Sequence, residues 1–175
     1  VLLARVDPEG AVHPIEGPAF DGVAFQGGVL VMRPDRTLEM VRDGAPASVV
    51  DRELIFAPVA SSDGEHAAWA AERTLGEQVL VVVDRDGDRA EAAQGLASIG
   101  GLSFDLSTHG PSRRIAFVGA TQGGIAGLWA TRADGSTARC LTNCALRAGQ
   151  PFGSDHVPLP DELVQFDGDA ITFRS

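Results

Sequence analysis

The sequence predicts an all-β protein assembled from repeated hairpins, and three observations predict it. One pattern returns along the 175 residues: an acidic or glycine turn, then a short apolar run that closes on an aromatic ring. Asp-Gly pairs stand between β-branched and aromatic runs, which is the chemistry of tight turns with positive φ joining antiparallel strands. Helical periodicity is thin: Glu91 to Leu96 has some helical composition, but it is short and ends against Gly100-Gly101.

The first motif reads Asp21-Gly22-Val23-Ala24-Phe25. It returns from Asp63-Gly64 to Trp69, from Gly110-Pro111 to Phe117, and from Asp167-Gly168 to Phe173. A second motif, an apolar strand running into an acidic turn, follows the first three. Val29-Leu30-Val31-Met32 leads into Arg33-Pro34-Asp35-Arg36, Val79 to Val83 into Asp84-Arg85-Asp86-Gly87, and Leu128 to Thr131 into Arg132-Ala133-Asp134-Gly135. The second motif also stands alone at the start, where Leu2 to Val6 precedes Asp7-Pro8-Glu9-Gly10.

Each unit is therefore two hairpins. The aromatics recur at roughly 45–55 positions, near the ~40–45-residue period of a four-stranded propeller blade. The prediction is a β-propeller of about four repeats of four short antiparallel strands. The repeats lie near 17–44, 52–95, 99–143, and 152–175 joined with 1–16, in a single domain over 1–175. Phe25 is expected on the second strand of its blade, with most of the first strand lacking. Pairing of the N- and C-terminal strands would close the ring and remove its exposed edges. Two chains pairing into a larger ring, or one piece of a longer propeller, are the alternatives.

The stretch from Ser112 to Asn143 carries a recognisable pattern: Arg113-Arg114-Ile115-Ala116-Phe117, then Leu128-Trp129-Ala130, then Ala133-Asp134-Gly135, then Leu141-Thr142. In this it resembles the TolB-like propeller repeat family. The resemblance implies a periplasmic or otherwise exported interaction module, hence a non-catalytic scaffold with a protein partner. The alternative is a propeller domain of a larger hydrolase that binds or cleaves a glycan or peptide.

Composition narrows the classes. Carboxylates outnumber arginines 24 to 14, there is no lysine, and the net charge is −10. Duplex nucleic acid is excluded as a partner because it needs a basic footprint. No apolar run approaches the ~20 residues of a membrane helix.

Candidate sites follow from topology. The turns at Asp21, Asp63 and Asp167, with Asp7, Glu9, Asp35, Asp84, Asp86 and Asp134, are expected on one acidic face. Asp is also simply a good turn former. Asp84-Arg85-Asp86-Gly87-Asp88 starts like a calcium loop, but the twelfth position is Leu96, so no metal is assigned. The opposite face is the expected ligand face, with Arg73, Gln122, Arg147, Asp155 and His156 as its polar groups. Cys140 and Cys144 suit a small loop disulfide or two free thiols; zinc would need further ligands, of which only His156 is near. No nucleophile elbow, paired histidine motif or phosphate loop is present, so no catalytic residue and no cofactor is assigned. Asp105 and Asp155 are the acids available to a glycosidase reading, which needs two carboxylates across a cleft. Trp69 and Trp129 are expected as core, with a carbohydrate platform as the other use of such rings.

Overall fold

The computed structural model describes residues 3–6, 10–124, 126–136, 138–142, 164–167 and 170–173. The described chain is all-β, and its one helical element is a 3₁₀ turn at Gly110–Ser112. Glu91 to Leu96 is strand.

The strands are β1 (Ala4–Val6), β2 (Val12–Pro14), β3 (Asp21–Phe25), β4 (Gly28–Met32), β5 (Leu38–Val41), β6 (Ser48–Asp51), β7 (Leu54–Ala60) and β8 (His66–Thr74). They continue with β9 (Glu77–Asp84), β10 (Arg89–Phe104), β11 (Arg114–Thr121), β12 (Gly127–Arg132), β13 (Arg139–Cys140), β14 (Val164–Asp167) and β15 (Ala170–Phe173). All pairings are antiparallel between sequence neighbours, so every sheet is a meander.

Strands β3 to β6 form one four-stranded sheet, and β7 to β13 form a seven-stranded one. The larger sheet is two four-stranded units sharing a strand: after the first sheet of β3 to β6 come a second sheet of β7 to β10 and a third of β10 to β13. β10 pairs with β9 from Arg89 to Leu96, then with β11 from Leu96 to Phe104. Its register shifts on both sides of Leu96, and Gly95 takes a φ of +70° beside the switch. Bulges with glycine in this region bend a strand and re-aim its pairing. The sheet thus folds over on itself.

The core is layered accordingly. Side chains alternate across each strand, so one strand feeds two layers. Trp69, Val79, Val81 and Val83 pack with Phe25, Leu30, Met32 and Leu38 of the first sheet. The other face of the same strands, Ala68, Ala70, Leu80 and Val82, packs with Ile115 and Phe117. The terminal hairpins cap the stack: Ile15 and Leu3 pack on Val29 and Val31, and Val164 packs on Ala116, Val118 and Leu128.

Two expectations need correction. The first repeat is displaced by one strand. Asp21–Phe25 is the first strand of its sheet, and Ser48–Asp51 is the fourth. The reason is a turn of unexpected composition: Gln26 and Gly27 take φ of 51° and 69° and close β3 onto β4 with Phe25 opposite Gly28. The acidic turn that leads to the outermost strand is therefore Asp43-Gly44, not Asp35-Arg36. Phe25 is buried, but it is not the counterpart of Trp69 and Phe117. Those rings oppose Val81 and Trp129; the matching position in the first sheet is Val31, opposite Glu39. The second correction concerns closure. Among the described residues, β1–β2 and β14–β15 form separate two-stranded sheets, so the terminal strands do not pair with each other.

Candidate functional site

The meander puts the β7–β8, β9–β10 and β12–β13 turns at one end of the stack, and the β4–β5, β8–β9 and β11–β12 turns at the other. The expected single acidic face is accordingly divided. Asp63, Asp84, Asp86 and Asp134 lie at the first end; Asp35 and the start of β3 at Asp21 lie at the second, because the first repeat is one strand out of phase. Asp7 and Glu9 lie outside the described residues, and Asp167 ends β14.

Most of these carboxylates cap their own turns. Asp84 Oδ1 accepts from the N–H groups of Asp86 and Asp88, each at 2.9 Å, and Asp134 Oδ1 accepts from Ser136 N at 2.8 Å. Asp35 does the same for Thr37 N at 3.1 Å. A carboxylate folded back on its turn is not aimed at a cation, and no group of three potential ligands forms among the described residues.

Of the expected loop-face residues, Arg73 and Gln122 reach the same end but not one site. Arg73 donates to both carboxylate oxygens of Asp51, at 3.1 and 2.8 Å, and to Glu91 at 3.1 Å. Gln122 donates to the Gly76 carbonyl at 2.7 Å. Each ties one sheet to the next. Arg147, Asp155 and His156 lie outside the described residues, as does Cys144. Cys140 is disulfide-bonded.

Asp105 is buried and fully used. It accepts from Ser107 N and Oγ at 2.8 and 2.7 Å and from Arg114 Nε at 2.6 Å. Burial alone would raise its carboxyl, but these hydrogen bonds and the Arg114 charge hold it below the ordinary value. A general acid needs the opposite shift. Trp69 is fully buried, its Nε1–H donating to Asp51 at 2.7 Å with the Arg89 guanidinium 5.3 Å from its ring centroid. Trp129 stacks on Phe117 at 6.2 Å and donates to the Gly119 carbonyl at 2.9 Å. Both rings serve the layers between sheets.

Three features escaped the sequence. The first is an ionic cluster between the second and third sheets. Arg113 is buried and donates to Asp63, and its Nη2 lies 3.2 Å from His109 Nδ1. Asp63 also accepts from Ser61 Oγ at 2.7 Å and Glu65 N at 3.1 Å. Burial alone would raise the Asp63 carboxyl, but these partners hold it far below the usual range. Ser61, Asp63 and His109 do not form a nucleophilic relay. The serine donates to the carboxylate instead of to an imidazole, and it is buried. His66, also buried, has no partner for its Nδ1 among the described residues, and burial and the Arg113 charge lower its pKa.

The second feature is an open groove of about 970 Å³ on the outer face of the first sheet. Glu16 to Pro18 form one wall, the Arg42–Ala47 turn forms the other, and Val41 and Glu39 lie on its floor. The third is a smaller cavity of about 460 Å³ on the third sheet, lined by Arg114, Arg132 and Arg139. No family model matches the chain, and no curated protein or solved structure matches it.

Proposed function

We propose that the chain is a non-catalytic protein-binding scaffold whose stacked sheets are blades of a propeller of the TolB-like kind. Three successive four-stranded meanders with equivalent turns support the propeller reading, as does a strand that leaves the outer edge of one unit to start the inner edge of the next. The separate terminal hairpins leave edge strands that a ring, of one chain or of two, would pair. Small-angle scattering tests this: a disc-shaped particle is expected, and an elongated stack with no second copy overturns it.

The observation that carries the binding reading is the groove. At about 970 Å³ and open along its length, it does not enclose a reactant away from water. Its walls offer both charge signs and backbone, which suits an extended stretch of another protein. The bonded state of Cys140 supports an oxidising, exported setting. The test compares wild type with Ala45→Arg/Ala47→Arg, which fills the groove from an exposed turn. The variant should keep its melting temperature and lose a specific protein retained from an extract of the producing cells. Retention of the same protein by the variant overturns the reading, and so does a glycan- or peptide-hydrolysing activity of the purified chain.

A further inference from the structure

The 460 Å³ cavity carries an inference independent of the groove. Strand register explains how it arises. Arg114 on β11 lies directly opposite Arg132 on β12, and Arg139 on β13 lies directly opposite Ala130. Ala130 and Arg132 are two residues apart, so they share a face. Three guanidinium-bearing positions therefore stand on one face of three adjacent strands, around the small side chain of Ala130. Like charges placed directly opposite across a sheet are destabilising.

The described neighbours neutralise only one of the three. Arg114 is paired with Asp105 and lies 5.3 Å from the Phe166 ring centroid. Arg132 and Arg139 are exposed and have no hydrogen-bond or ion-pair partner among the described residues. Asp134, midway in the turn between the cavity-lining Arg132 and Ser136, is turned onto Ser136 N. Arg42, Arg52 and Arg85 also have no carboxylate partner among the described residues, but they stand at separate turns and not on adjacent strands of one face. Carboxylates outnumber arginines 24 to 14, and Arg5, Arg33, Arg36, Arg73, Arg89, Arg113 and Arg114 all have a carboxylate partner. Two neighbouring cations without a partner among the described residues, beside a third and facing a cavity of small-molecule size, make a cationic site whose charge and geometry suit an anion.

We propose that this cavity binds a small molecule carrying a phosphate group, with Arg132 and Arg139 as its two cationic arms. The planar fork of guanidinium matches phosphate oxygens in pairs, and a multiply charged oxyanion answers two adjacent arginines better than one carboxylate does. Arg114, held in place by Asp105, supplies positive potential at the inner wall. Leu141 and Ala130 give an apolar side for the rest of the molecule.

The test is calorimetric titration of the full chain with inorganic phosphate, pyrophosphate and glycerol phosphate, with a hexaglutamate peptide in parallel. Saturable binding is expected for the phosphate compounds. Arg132→Ala/Arg139→Ala should weaken it at least tenfold with the melting temperature unchanged. Arg52→Ala/Arg85→Ala, which removes the same charge from exposed positions elsewhere, should not weaken it. Three results overturn the proposal: no saturable binding to any of the three phosphate compounds, equal weakening in both double variants, or tighter binding of hexaglutamate.

Discussion

Arg113 and Asp63 form an ion pair between adjacent sheets in which the cation is buried and the anion is not. The Arg113 side chain is 1% exposed and that of Asp63 is 29%. They stand 50 residues apart in the chain, at the same end of the stack.

This asymmetry predicts unequal mutational costs. Asp63→Ala strands a buried guanidinium whose Nε already has no partner among the described residues, and should cost about 3–5 kcal/mol. Arg113→Met leaves a carboxylate that still accepts from Ser61 and Glu65 and reaches solvent, so it should cost clearly less. Urea unfolding of the two variants measures the difference. Equal costs would remove the argument that burial of the cation dominates.

His66 predicts a pH effect near neutrality. Burial and the Arg113 charge lower its pKa from an ordinary 6.5, so the folded state favours neutral imidazole. The unfolded chain binds a proton first as pH falls, and stability is lost progressively below about 6.5. His66→Phe removes the unpartnered Nδ1 and should flatten stability between pH 6.5 and 5. Melting temperatures of both proteins across that range check it; parallel curves would contradict it.

Asp51, Asp63 and Asp105 predict the acid limb. All three carboxyls lie below their ordinary 3.8, with hydrogen bonds and arginine charge outweighing burial. Their contribution is complete above 3.8 and disappears as pH falls through the lower folded values. Acid unfolding should therefore be steep below pH 4, and Asp105→Asn should make it shallower. Circular dichroism against pH gives the slope.

Gly28 predicts a site where one methyl group is not tolerated. A Cβ there would lie 2.6 Å from the Val41 carbonyl oxygen on the neighbouring strand. Gly28→Ala should cost about 1–3 kcal/mol through strand displacement. Gly27→Asn, at the adjacent turn position with φ of 69° and open space, should cost well under 1 kcal/mol, about the difference between two residues that accept left-handed backbone. Denaturant midpoints of the two variants rank them.

Turn chemistry and strand composition made the β class legible, because Asp-Gly pairs and β-branched runs act locally. The phase of the first sheet was not legible. Its hairpin turns on Gln26-Gly27, which carries no acid, and an apolar Val31 occupies the place where the later sheets put Trp69 and Phe117. The sites were less legible still. Arg73 and Gln122 look free in sequence, yet each is drawn into an inter-sheet contact by a partner far along the chain. The arginine face appears only after register brings Arg114, Arg132 and Arg139 together, and nothing in their spacing announces it. The Arg113–Asp63 pair likewise depends on stacking, which sequence motifs do not encode.

The sixteen-residue strand β10 has a mechanical consequence. Most neighbouring sheets in a layered protein part by sliding side chains past one another. Here the second and third sheets are stitched by continuous backbone, so separating them means ripping a hydrogen-bonded ladder from at least one of its two owners. A pulling force applied across them would meet one block that yields in a single rupture, while the first sheet, whose backbone link to the second is the short connection at Arg52-Glu53 and whose other ties are packed side chains, hydrogen bonds and ion pairs, could peel away beforehand.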